Sequence, residues 1–324
     1  MEQKRSGIPS VEARGELSLE LVHATEAAAL ACAGFLGKGD PDRASRSAAE
    51  AMRAAVERSS LTGTLALSPR HQTDLPRGLV IGDGDRKVDL GAYALEGASQ
   101  VARGHVNSTT TLVAAEPGSF PRLPAIGHVE KFVAGPASRG AIDLDDSIAD
   151  NLRRIAFAND VRVQDLTVAI LERPRHQELI AEVAATGARI RTLEEGDFAS
   201  AVMAALPGTG IDAAIGVGDL HAALIAACAV RCLGGEFVAR LMPRTDEEKS
   251  LVAEGIPEVY TLADLAPAGD VDVAVTGVSG GPLLPGVTFG SGFAETSSLV
   301  MSSRHGTVRH LTTRHGATGL AVSR

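Results

Sequence analysis

The chain has no tryptophan, only two tyrosines and eight phenylalanines, so aromatics make up 3% of its 324 residues. A core must then be filled by Ala, Val, Leu and Ile, with 35 glycines available for turns, a mixture that suits layered α/β packing. Cysteine is scarce too, with Cys32, Cys228 and Cys232 the whole complement. That excludes a disulfide scaffold. Cys228 and Cys232 stand four apart in an apolar helical run and read as core packing rather than a metal site. Such usage fits a reducing cytoplasm, the expected location. No apolar run approaches the roughly 20 residues a membrane helix needs. Residues 1–15 are polar, lack the apolar core of a secretory signal and read as a loose tail. A basic excess is missing as well. The formal charge is −9, which argues against a nucleic-acid partner and requires a local basic cluster wherever an anion is held.

What is present is an alternation of elements. Helices are expected over 16–36, 42–58 and 145–158, and strands over 61–67, 79–81, 88–95, 109–115 and 128–134. From about Asp165 the style changes to strands alternating with helices, with strands at 167–171, 189–193, 213–217 and 271–276, and a hairpin over 297–313. We expect an N-terminal α+β domain over 16–160 and a C-terminal α/β domain over 161–324. His305, His310 and His315 are expected on the exposed hairpin.

The segment from Thr167 to Leu193 reads strand, helix, strand, the crossover that builds parallel sheets. Arg173-Pro174-Arg175-His176 follows its first strand and Glu194-Glu195-Gly196-Asp197 its second. Open α/β sheets bind ligands beyond such strand ends. Arg173, Arg175 and His176 at a helix start suit a phosphate, although a solvated loop with a charged helix cap explains the same residues.

A family resemblance extends from about Glu16 to His315. It is carried by Gly37-Lys-Gly-Asp40, Glu130-Lys131 with Gly135-Pro136, Gly140-Ala-Ile-Asp-Leu144, Arg173-Pro-Arg-His176, Glu195-Gly-Asp197, Thr276-Gly277 and Leu283-Leu-Pro-Gly286. The chain resembles class II fructose-1,6-bisphosphatases, a branch of the metal-dependent, lithium-sensitive phosphomonoesterases. The resemblance implies an α/β/α/β/α sandwich, a phosphorylated sugar or nucleoside-like substrate, and assembly into homo-oligomers. It also implies magnesium or manganese as cofactor if the family's hydrolysis operates.

That hydrolysis uses carboxylates to hold divalent ions, which bridge phosphoryl oxygens and activate a water. At the positions where the resemblance implies such ligands, this chain has Ser45-Arg46, Ser68-Pro69-Arg70-His71, Tyr93 and Ala222. Glu96 is the only ligand type kept, and Ala98 stands where a water-orienting threonine is implied. A weaker oxygen set is Asp83, Asp85 and Asp89 with Glu96. The sugar-phosphate side is better kept, with Arg173, Arg175, His176, Asp197 and Ser99 as the expected binding residues. His71, His128 and His221 fall at or beside pocket positions, and imidazole can move protons near neutral pH without a metal. With Tyr93 and Glu96 they form the candidate catalytic set. Three functions stay open: acid–base conversion of a sugar phosphate by isomerisation, epimerisation or elimination; a phosphatase with a rearranged metal site; and an inactive ligand-binding or regulatory homologue.

Overall fold

A computed structural model describes residues 11–122, 124–253 and 256–316. The chain runs α1 (Val11–Ala33), α2 (Pro41–Glu57), β1 (Leu61–Leu67), β2 (Val80–Ile81), β3 (Arg86–Glu96), α3 (Ala98–Arg103), β4 (Ser108–Ala115) and β5 (His128–Ala134). It continues through α4 (Ile148–Ala158), β6 (Thr167–Leu171), α5 (Gln177–Ala185), β7 (Arg189–Leu193), α6 (Asp197–Ala205), β8 (Ala213–Asp219), α7 (Leu220–Leu233) and β9 (Glu236–Leu241). Last come α8 (Asp246–Ala253), β10 (Val259–Thr261), α9 (Leu262–Leu265), β11 (Val271–Gly280), β12 (Thr288–Gly290), β13 (Phe293–Ser302) and β14 (Thr307–Gly316).

Local chemistry sets several of these boundaries. Asp40 accepts the Arg43 N–H at 3.0 Å and Pro41 opens α2, whose buried Ala44, Ala48, Met52 and Val56 recur every four residues. Asp219 accepts the Ala222 N–H at 2.9 Å to start α7, and Gly234, at φ +71°, ends it. The first helix begins at Val11, so residues 11–15 of the expected tail are helical, while residues 1–10 lie outside the described part.

Two sheets form. The first has the order β12-β13-β11-β4-β3-β1-β2, with β14 pairing with β13. The second runs β10-β9-β5-β8-β6-β7, and the expected crossover is there, with β6 parallel to both β7 and β8. The two sheets do not divide the chain at a single point. β5, at 128–134, lies in the second sheet, and the chain returns to the first at β11.

Three apolar clusters show the layering. One joins α1 and α2 to the outer face of the first sheet through residues such as Leu21, Met52, Leu90 and Ala274. A second fills the space between the sheets around α6 and α7. A third packs α4 and α5 on the far face of the second sheet. Neighbours along a strand go to opposite faces, so Phe132 enters the third cluster and Val133 the second. This is the α/β/α/β/α arrangement expected. Cys228 and Cys232 are buried in the central layer, as free thiols. Among the described residues no helix is long and apolar enough to cross a membrane. The hairpin is longer than expected, and His315 is not simply exposed, because its Nε2 lies 2.8 Å from the Thr296 hydroxyl.

Candidate functional site

One edge of the second sheet collects the polar residues. Strand register sets His128, the first residue of β5, opposite Asp219 at the end of β8, and Val129 opposite Leu241 at the end of β9. Because β6 and β7 run parallel to β8, the segments after β6, β7, β8 and β9 all emerge there, beside the start of β5. These segments carry Arg173 and Arg175, Glu195 and Asp197, Asp219 and His221, and Arg244.

His176 corrects an expectation. It is 1% exposed, its Nδ1 donates to the Leu171 carbonyl at 2.8 Å, and its Nε2 accepts the Val217 N–H at 2.9 Å. Both ring nitrogens are used, so it cannot grip a phosphate. It pins the 173–176 segment to β6 and β8 as a neutral ring, and burial lowers its pKa accordingly. Gly216 makes room, since a Cβ there would stand 3.0 Å from the ring.

The two neighbouring arginines differ. Arg173 is tied to Glu195 at 2.7 Å, and Ser99 Oγ also faces Glu195 at 3.4 Å. Arg175 donates to the Val217 carbonyl from Nε and Nη2, at 3.1 and 2.8 Å, and no carboxylate is paired with it among the described residues. Its pKa is lowered by burial and by the charges of Arg173 and Arg244. Arg244 was not singled out in the sequence. The available signal was its place, three residues beyond a strand of this sheet. His128 lies in the field of Arg244 and Arg175, and burial with those charges lowers its pKa against the opposing pull of Asp219 and Glu248. Its imidazole is therefore neutral at neutral pH.

Asp197 gives both oxygens to Lys131 Nζ, at 2.6 and 2.5 Å, and Lys131 is 2% exposed. Beside it, Glu96 reaches across from the first sheet to accept the Phe198 N–H at 2.8 Å, and the Thr109 hydroxyl lies 3.4 Å away. Gly196 offers α6 no side-chain cap, so Glu96 supplies that acceptor from a distant strand. Burial pushes its pKa up to about 8, against the Phe198 hydrogen bond and with help from Asp197 and Glu195. Glu96 is 2% exposed and caps the first turn of α6 from the first sheet. Tyr93 is buried, and burial plus the charges of Glu96, Glu195, Asp197 and Asp219 keep its phenol protonated. His71 is exposed and meets the Tyr93 ring edge-on, with 5.6 Å between centroids. Burial and Arg77 lower the pKa of His221, whose Nε2 is 3.4 Å from Arg77 Nη1. Asp89 accepts the Gly118 N–H at 2.7 Å and so is engaged in a turn rather than with Glu96.

Residues 15–315 match the family model described as bacterial fructose-1,6-bisphosphatase, glpX-encoded. The chain belongs to that family. It is 33% identical to the D-fructose 1,6-bisphosphatase class 2/sedoheptulose 1,7-bisphosphatase of Synechococcus sp. (strain JA-3-3Ab), over 93% of this chain and 95% of that protein. It is 32% identical to fructose-1,6-bisphosphatase 1 class 2 of Escherichia coli (strain K12), over 93% and 96%. Membership makes this a sugar-phosphate phosphatase-like protein. Among the described residues, no group of three or more His, Cys, Asp or Glu side chains is placed to hold a metal ion. The carboxylates around Tyr93 already have partners: Glu96 has an N–H, Asp197 a lysine, Glu195 an arginine and Asp219 the start of α7.

Proposed function

We propose that the chain binds a phosphorylated sugar or nucleoside-like compound at this sheet edge and converts it by acid–base chemistry rather than by ion-assisted hydrolysis. The observation that carries this reading is the pairing just described. The four carboxylates around Tyr93 are engaged, while Arg175 and Arg244 stand without a carboxylate partner among the described residues beside a neutral His128. A divalent ion needs several free oxygen donors, and this donor set does not suit one. Two guanidiniums suit a phosphate directly. His128 then serves as the base and the protonated phenol of Tyr93 as a proton source. Isomerisation or epimerisation fits such a pair, because a proton taken from carbon beside a carbonyl is returned and no co-reactant is consumed.

The test is turnover of a sugar-phosphate panel by the full chain, with magnesium, manganese or a chelator. Conversion that persists in chelator, and that His128→Asn abolishes without weakening binding, is the expected result. Phosphate release from fructose 1,6-bisphosphate that requires magnesium or manganese would replace this reading by a rearranged metal site. Binding with no turnover across the panel would leave a ligand-binding homologue. Arg175→Gln should weaken sugar-phosphate binding about 10- to 100-fold, the scale of a lost charge-assisted contact.

A further inference from the structure

A cavity of about 400 Å³ lies between the 68–78 loop and the start of α7. Its lining includes Ser68, Arg70, Arg77, Ala125, His221 and Leu224. The loop is held in place from beneath. Buried Gln72 donates to Ser68 Oγ at 3.1 Å and to the Ala92 carbonyl at 3.2 Å, and accepts the Ala94 N–H at 2.6 Å. The two arginines are thus presented on an anchored segment, although both are exposed.

Neither guanidinium has a carboxylate within ion-pair distance among the described residues. Arg70 reaches only the Ala125 carbonyl, at 3.4 Å. Arg77 donates to the Ala66 carbonyl at 3.2 Å and faces His221 Nε2. His221 is 9% exposed, and its buried Nδ1 has no hydrogen-bond partner. Arg70 feels Glu248 only beyond ion-pair distance, and Arg77 has no acidic partner among the described residues, so both guanidiniums remain open to an anion. The floor is apolar through Leu224 and Ile126, which lowers the local dielectric and strengthens an ion contact.

We propose that this cavity is a phosphoryl-group site, separate from Arg175 and Arg244, in which Arg70 and Arg77 hold a phosphate dianion beside His221. The phosphate is either the second phosphate of a bisphosphorylated substrate, in which case the site rests on the function proposed above, or a free phosphate acting independently of it.

Calorimetric titration of the full chain distinguishes these cases. Inorganic phosphate is expected to bind at two sites, and Arg70→Gln/Arg77→Gln is expected to remove one while the melting midpoint stays unchanged. If the double variant also loses about 10- to 100-fold in affinity for fructose 1,6-bisphosphate but not for fructose 6-phosphate, the cavity takes the substrate's second phosphate. If both sugar phosphates bind as before, the site is independent of substrate. Phosphate stoichiometry and affinity identical in the parent chain and the double variant overturn the proposal. Failure of Arg175→Gln to affect binding would instead count against the sheet-edge site, so the two readings fall separately.

Discussion

The 173–176 segment and the 68–78 loop are built alike, one beside each sheet. Each carries two arginines outward and one fully hydrogen-bonded polar side chain inward: His176 in the first, Gln72 in the second. They differ in their company. The first faces Glu195 and Asp197, so Arg173 is already neutralised, whereas in the second Arg70 has only the longer-range field of Glu248 and Arg77 has no acidic partner among the described residues. The inward residue therefore fixes the loop, and the surrounding charge decides what the outward arginines are free to bind.

Removing the lysine that balances the first loop's acids should have the largest effect. Lys131→Met leaves Asp197 without its buried counter-ion and should cost about 3–5 kcal/mol, read from denaturant midpoints. Arg77→Gln on the other loop should cost almost nothing, and a comparable loss there would erase the contrast. Next comes the anchor itself. His176→Ala opens a hole and orphans the Val217 N–H, for an expected loss of roughly 2–4 kcal/mol. Gln72→Ala should follow at about 1–3 kcal/mol, since it strands the Ala94 N–H. If Gln72→Ala exceeds His176→Ala, the second loop is the more deeply fixed of the two.

The last comparison is one of pH, read as a slope rather than as a single loss. The folded pKa of Glu96 is raised to about 8 from an ordinary 4.5. Between those values the folded chain binds more protons than the unfolded chain, so this group's stabilisation is complete below pH 4.5 and fades as pH rises through 8. Glu96→Gln should flatten that slope in melting curves recorded from pH 5 to about pH 8. An unchanged slope would place the titration elsewhere.

Much of this was legible in the sequence. The crossover at 167–193 declared itself through its two apolar runs and the polar segments after them, and the place of Arg175 beyond a strand end was legible too. The inward roles were not legible. Nothing local marks His176 as a ring with both nitrogens occupied, because its partners, Leu171 and Val217, come from two strands. The contact of Glu96 with α6 was equally hidden, because its partner Phe198 is 102 positions away. Arg244 was overlooked because its neighbours are charged, and only the register of β9 on β5 brings it to His128.

The first turn of α6 is fastened from two directions, by Glu96 on one sheet and Lys131 on the other. It works as a caliper across the sandwich. A shift of either sheet would therefore be felt at Asp197, because both jaws close on its turn. The spacing between the layers is thereby written into the position of one carboxylate.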